Sequence, residues 1–415
     1  MSPTLRTALA VTVLALAGLV LPLPVVAIGL VALAGAVAVD LRAIRKPPAV
    51  RRELPRAAAR GVPARVGLTQ PVAAAGVVRL RQPVPPDVEL EPSEADESLD
   101  ATLVARRRGR HVLPGPAARR TGPLGLGRRD FTLLEEAELH VYPDLPAASR
   151  LVDAVRRGRF RETGLRTRGA LGLGTDFESI RDYLPDDDIR QVNWAATDRL
   201  GRPMSNQYRI EQDRDVVCAL DAGRLMAAPL AGGTRLDVAV DAVAAVAAVA
   251  DELGDRCGLV AFDAEVRRHV RPSRRAARDV VAALFDLEPT RLDSDYALAF
   301  HRVGGSKRAF VLVLTDLLEP AAAQPLVDAI PILARRHHVV VAGAADPDLE
   351  ALLDAEQETA VDVYRAVAAA DVLDARERAS AALRGAGARV VEASPERLGA
   401  ACVQAYLTAK ARARL

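Results

Sequence analysis

The sequence predicts an α/β protein whose larger domain is a parallel β-sheet covered by helices on both faces. Three observations lead there. After about residue 151, continuous apolar runs such as Val216-Val217-Cys218-Ala219-Leu220 and Phe310-Val311-Leu312-Val313-Leu314 alternate with helix-length segments, the pattern of strands buried on both sides. Between residues 71 and 150 the runs are shorter, alternate with polar residues and are punctuated by Gly and Pro, which reads as a small β-sandwich domain. Ahead of both, Ala8 to Val39 carries no charged residue.

That N-terminal stretch is long for one membrane span of about 20 residues and short for two. Pro22-Leu23-Pro24 stands at its middle, and paired prolines break a helix. The reading is a transmembrane helical hairpin within residues 1–40, about Leu5–Leu21 and Val25–Val39, in contact with lipid over residues 5–39. One long tilted helix is the rival. A cleaved signal peptide is a third reading, because Ala36-Val37-Ala38 resembles a cleavage site, but the apolar core is twice the usual length. Arg42, Arg45, Lys46, Arg51 and Arg52 follow at once. The positive-inside rule then places the soluble domains in the cytoplasm, on the inner face of the membrane. Residues 41–70, rich in Pro, Arg and Ala, read as a basic linker.

From residue 151 onward, Thr234-Arg235-Leu236-Asp237 opens a helix that runs to Gly254, in the manner of a capping box. Further strands are expected at Leu259–Phe262, His338–Ala342 and Arg389–Val391, with helices at about 274–286, 295–302, 320–335, 358–383 and 395–412. His337 and His338 are adjacent, so on a strand they point to opposite faces and cannot chelate together. The tail from Lys410 to Arg414 reads as a basic helix end that complements the helix dipole.

Composition excludes several functions. The chain has 415 residues, 50% hydrophobic and 27% charged, which is globular and not disordered. Net charge is only +2, which argues against a dedicated nucleic-acid binder. Residues 41–130 hold 18 Arg/Lys against 9 Asp/Glu, so positive charge gathers just after the apolar stretch, where it suits an anionic leaflet. Lys46, Lys307 and Lys410 are the only lysines, and none sits in a P-loop motif. There is no His-Glu-x-x-His and no Gly-x-Ser-x-Gly. Cys218, Cys257 and Cys402 form no CxxC pair, so each reads as a small buried apolar residue.

Two features carry chemical information. The runs ending at Leu220 and at Leu314-Thr315 are each followed by an aspartate, Asp221 and Asp316. In an open parallel sheet, ligands bind beyond the C-terminal strand ends, near the switch in strand order. Two carboxylates there could hold a hard cation with waters, or simply cap the turns that follow. The second feature is the segment from Gly172 to Trp194. It contains Asp176, Glu178, Arg181, Asp182, Tyr183, Asp186, Asp187, Asp188 and Arg190, and ends near the only tryptophan, Trp194. It reads either as a solvated turn with local ion pairs or as an ordered docking loop. In the second case the arginines hold carboxylates and Trp194 anchors packing.

Gly174-Thr175-Asp176-Phe177-Glu178, Arg181-Asp182-Tyr183, Pro185-Asp186-Asp187-Asp188, Arg190 and Asn193-Trp194 together resemble the hallmark of the bacterial domain-of-unknown-function-58 family. Gly122-Pro123-Leu124-Gly125-Leu126 and Val141-Tyr142-Pro143 resemble its preceding β segment. The resemblance implies a von Willebrand factor A-like (Rossmann-like) domain within 151–415 and an association with MoxR-type AAA+ ATPases. It also implies a test for metal. The adhesion site of A-domains uses Asp-x-Ser-x-Ser, a Thr from a second loop and an Asp from a third. Here Asp221 matches the first Asp, Gly223 and Leu225 replace the serines, and Asp316 stands like the third-loop Asp. Ser294 or Asp295 would substitute for the Thr. The expectation is a degenerate site for Mg²⁺ or another divalent cation at Asp221, Ser294, Asp295 and Asp316.

Three functions follow as expectations. The first is a membrane-anchored, non-enzymatic adaptor that binds a protein partner, a MoxR-type ATPase, through the 172–194 loop and the C-terminal sheet edge. The second is a metal-dependent hydrolase that uses Asp221 and Asp316. The third is an envelope structural protein with no ATPase partner.

Overall fold

The computed structural model describes residues 2–72, 76–157, 176–184, 189, 192–209, 214–230, 232–303, 308–316 and 320–411. The chain divides into two compact units, Met1–Tyr142 and Pro143–Leu415. The boundary expected at 150/151 falls instead inside a helix, α3 (Leu145–Arg156), of the second unit.

The first unit begins with α1 (Leu5–Ala17) and α2 (Leu23–Ala43). Pro24 lies in the first turn of α2, where a missing N–H does no harm. That helix therefore starts earlier and runs later than expected. It is long and apolar enough to cross a membrane. Three sheets follow. A four-stranded antiparallel sheet orders Arg51–Glu53, Ala64–Thr69, Ser98–Ala105 and Val88–Glu91. A five-stranded sheet is centred on Ala117–Thr121, and a three-stranded one on Ala137–Tyr142. Strict alternation builds their common core. Leu99, Ala101 and Leu103 face inward along Ser98–Ala105, and Leu68, Leu80, Leu113, Leu139 and Val141 meet them.

Residues 41–70 are not a linker. Arg51–Glu53, Ala57–Ala59 and Ala64–Thr69 are strands, and Val66 and Leu68 are fully buried. Pro and Arg dominate the composition there, yet Val66 and Leu68 keep the period of two that a half-buried strand needs. Linker-like composition concealed it.

The second unit is a mixed α/β sandwich. Its longer strands are β1 (Asp176–Asp182), β2 (Met204–Arg209), β3 (Asp215–Asp221), β4 (Arg256–Phe262), β5 (Val266–Arg274), β6 (Ala309–Leu314), β7 (His338–Ala344) and β8 (Arg389–Ala393). The main sheet runs β5-β4-β3-β6-β7-β8, parallel except for the edge strand β5. Along β3, Val216, Cys218 and Leu220 join one core and Val217 and Ala219 the other. On the first face lie α5 (Arg235–Glu252) and α11 (Leu398–Ala411). On the second lie α7 (Tyr296–Val303), α8 (Pro320–Ala334) and α10 (Ala360–Gly385), the last preceded by the short α9 (Pro347–Asp354). Helix α5 has its capping box, with Thr234 and Asp237 exchanging side-chain and backbone hydrogen bonds. It is buried on nearly all sides because it crosses beneath α3, α6 (Ala277–Leu284) and α11.

The chain crosses from β3 to β4 through α5 on one face and from β6 to β7 through α8 on the other. The strand order therefore reverses between β3 and β6, and a crevice opens at their carboxyl ends. Asp221 and Asp316 are both there.

Strand β5 escaped notice because it alternates arginines with half-buried residues at the sheet edge. Lys410 stands in the last turn of α11 as expected, and its ammonium is buried against Asp255, which also accepts from the Tyr406 hydroxyl. Residues 412–415 lie outside the described residues. The three cysteines are buried and free, and burial pushes the Cys402 thiol up to about 12.

Candidate functional site

The crevice is built on the Asp221 carboxylate, which is almost wholly buried. Its Oδ1 accepts from the Gly223 N–H at 2.8 Å and from the Ser294 hydroxyl at 2.5 Å. Its Oδ2 accepts from the Tyr296 hydroxyl at 2.8 Å and the Thr315 hydroxyl at 2.6 Å. Two oxygens offer about four lone-pair sites, so the chain's own donors fill them. Gly223 is required there. A Cβ on it would come within 2.2 Å of Ser294 Oγ and 2.9 Å of the Leu292 carbonyl.

Asp316 is held differently. Arg235 Nε approaches its Oδ2 at 3.1 Å and Arg376 Nη2 approaches its Oδ1 at 3.5 Å, all three side chains being nearly dry. Arg235 also donates to the Ala344 carbonyl at 3.1 Å and to Asp346 at 2.9 Å. From the first turn of α5, one guanidinium thus ties the end of β6 to the end of β7. Its planar fork of donors suits this multiple role, which a lysine could not fill.

Among the expected metal residues, Asp221, Ser294 and Asp316 meet at the same strand ends. Asp295 does not join them. It is exposed and caps α7, accepting from the Leu298 N–H at 2.9 Å. The residues do not fit a divalent cation. Asp221 is saturated by hydrogen-bond donors, and guanidinium groups stand against Asp316 where a cation would. No group of three or more His, Cys, Asp and Glu side chains converges among the described residues. The cavity lined by Arg235, Thr315 and Asp316 has about 10 Å³, room for roughly one water. Tyr296, Thr315, Arg235 and Arg376 were not singled out as site residues in the sequence. Two of them adjoin residues that were, Thr315 before Asp316 and Tyr296 after Asp295.

The hallmark segment forms a second feature. Strands β1 and β2 pair antiparallel, with an irregularity between Phe177 and Ser179. Asn193 N-caps α4 (Trp194–Leu200) through its Oδ1, donates from Nδ2 to Asn206 at 2.8 Å, and fastens the helix to β2. Helix α4 ends at Gly201 in the left-handed region. Asp182 pairs with Arg202 at 3.3 Å, and Arg181 donates to the Asp182 carbonyl. Tyr183 extends the pairing through its N–H to Pro203. Asp186, Asp187, Asp188 and Arg190 lie outside the described residues, as do the side chains of Asp176 and Glu178.

Trp194 does not anchor packing. It is 69% exposed, as is Ile189, and Leu184, Leu200 and Ile180 are exposed beside them in sequence. The physical reason is the short α4, which buries none of its residues. Burying five large apolar side chains would stabilise by about 1.5–3 kcal/mol each; among the described residues that burial is left undone.

A family model described as a protein of unknown function, DUF58, matches residues 179–383. Over this span the chain is similar to the DUF58 family. Residues 179–383 hold most of the hallmark and the side chains named above that contact Asp221 and Asp316, up to Arg376. Uncharacterized proteins of Mycobacterium bovis and Mycobacterium tuberculosis are 27% identical over 219 residues, which is 49% of this chain and 66% of theirs. The chain thus spans just under two thirds of the length of these relatives.

Two tests address the crevice. Arg235→Ala removes one of the two guanidinium groups held against a buried carboxylate and should cost about 3–5 kcal/mol in denaturant unfolding. Arg224→Ala, which breaks an exposed pair with Asp293, should cost less than about 1 kcal/mol. Equal losses would contradict the distinction. Burial, and then the Asp221 charge, push the Tyr296 phenol well above its usual range. A raised folded value gives stability that is complete below the unfolded tyrosine value of about 10 and is lost as pH rises through the folded one. Unfolding midpoints should therefore fall above about pH 10, and Tyr296→Phe should flatten that slope. An unaltered slope would contradict it.

Proposed function

We propose that this protein is a membrane-anchored, non-enzymatic adaptor that binds a protein partner through its hallmark hairpin. The exposure of Trp194 carries the reading. A lone tryptophan left in water on a hydrogen-bonded β1–β2–α4 scaffold has the properties of an interface anchor. The segment around it carries an excess of carboxylates, which suits a partner surface with a basic rim around an apolar pocket. The family resemblance supplies the class of that partner, a MoxR-type AAA+ ATPase. It also supplies the von Willebrand factor A-like description of the second unit, which the reversal of strand order between β3 and β6 supports.

Helix α2 supports the anchor, since it is long and apolar enough to span. The cations from Arg42 to Arg52 favour a cytoplasmic position for both units on a bacterial cytoplasmic membrane. The hydrolase alternative finds little support at the crevice. A general base needs a free lone pair facing substrate, and those of Asp221 are committed to Ser294, Tyr296, Thr315 and Gly223.

Affinity capture from detergent-solubilised membranes tests the adaptor. Trp194→Ala should weaken recovery of an AAA+ ATPase by about 30-fold or more, the loss of about 2 kcal/mol from an interface anchor. It should leave the melting temperature unchanged, because Trp194 is exposed. Unchanged recovery would overturn the proposed surface.

A further inference from the structure

The N-terminal hairpin has a built end and a bare end. At the built end, Asp40 is fully buried and accepts three backbone N–H groups from one loop of the first unit. Its Oδ1 takes Leu124 at 2.9 Å and its Oδ2 takes Leu126 and Gly127, both at 2.7 Å. Gly122 is needed for this contact, since a Cβ there would lie 2.1 Å from the carboxylate. The same loop holds α1. Thr4 and Thr7 donate their hydroxyls to the Gly125 and Leu126 carbonyls at 2.6 and 2.5 Å. Both helices are therefore fixed at one level by one loop. They run antiparallel: a Cβ on Gly29 would lie 2.8 Å from Leu14 Cδ2, and one on Gly18 would touch Val26 at 3.8 Å.

At the bare end, the turn has no polar side chain at all. Leu19 and Val20 are 82% and 87% exposed. The backbone of the turn is nevertheless provided for. Gly18 donates to Leu14, Leu19 to Leu16, and Val20 and Leu21 both to Ala17. Pro22 and Pro24 have no N–H to satisfy. Thr12, the only polar side chain between Ala8 and Val39, donates to the Ala8 carbonyl at 3.0 Å. No charge and no aromatic ring between those residues is available to hold a far headgroup layer.

Length completes the case. Helix α1 has 13 residues, about 20 Å at 1.5 Å per residue, and the hydrocarbon layer is about 30 Å thick. Starting from a docked end at the near surface, α1 cannot reach the far one. We propose that residues 8–39 form a re-entrant hairpin, entering and leaving the bilayer on the side of the first unit, with its tip ending among lipid chains. The partner is the hydrocarbon of the bilayer itself. A turn that leaves so few donors unmade is what hydrocarbon requires; a turn in water would need none of this.

The proposal rests on the membrane reading above, and the test separates the two. Val20→Cys and Val72→Cys would be made singly in the full chain, whose native cysteines are buried. Membranes in both orientations would be treated with an impermeant maleimide after a carbonate wash. The expected result is that the chain stays with the membrane, Val72→Cys reacts from one face only, and Val20→Cys reacts from neither face until detergent is added. Reaction of Val20→Cys from the face opposite Val72→Cys would establish two full spans and overturn the proposal. Reaction from the same face would place the tip outside lipid and overturn it equally. Loss of the chain in carbonate would overturn the membrane reading itself.

Discussion

A buried negative charge at the end of a central strand has to be neutralised, and the second unit of this protein does so from its own chain. Asp221 and Asp316 end adjacent strands at the point where the strand order reverses, and neither faces open water. Hydroxyls from Ser294, Tyr296 and Thr315 take one carboxylate, and guanidinium groups from Arg235 and Arg376 take the other. The donors come from four different connections between strands, on loops and on helices. Fixing the charges therefore fixes those connections. What a metal ion does in other strand-end sites, drawing several loops to one centre, side chains accomplish here.

That economy shifts function outward. With the crevice closed on itself, the unfinished business of the second unit lies on the β1–β2–α4 hairpin, where Trp194 stays in water. The two features belong to the span that is similar to DUF58, one as frame and the other as surface. The first unit shows the same division. Its loop from Gly122 to Gly127 takes up Thr4, Thr7 and Asp40 at the base of the helical hairpin, and the hairpin beyond carries no charged side chain.

The sequence made the strands of the main sheet legible because their burial on both faces writes itself as unbroken Val, Leu and Ala. Asp221 and Asp316 were legible as the residues that end such runs. The helix from Thr234 was legible from its capping pair. The partners of the carboxylates were not, because Arg235, Tyr296 and Arg376 reach them only through tertiary folding and carry no local mark. The strands around Val66 and Leu68 were hidden by a Pro- and Arg-rich composition, since two inward side chains suffice where neighbouring strands provide the rest of the core. Trp194 misled in the opposite direction: a tryptophan ordinarily packs, and only the shortness of α4 explains why this one does not.

Internal neutralisation is tested most directly by titrating the purified chain in detergent with Mg²⁺ and then Mn²⁺ in a calorimeter, and by comparing its melting temperature with and without chelator. It predicts no heat beyond dilution and the same melting temperature in both buffers. A saturable heat that disappears in Asp221→Ala would contradict it.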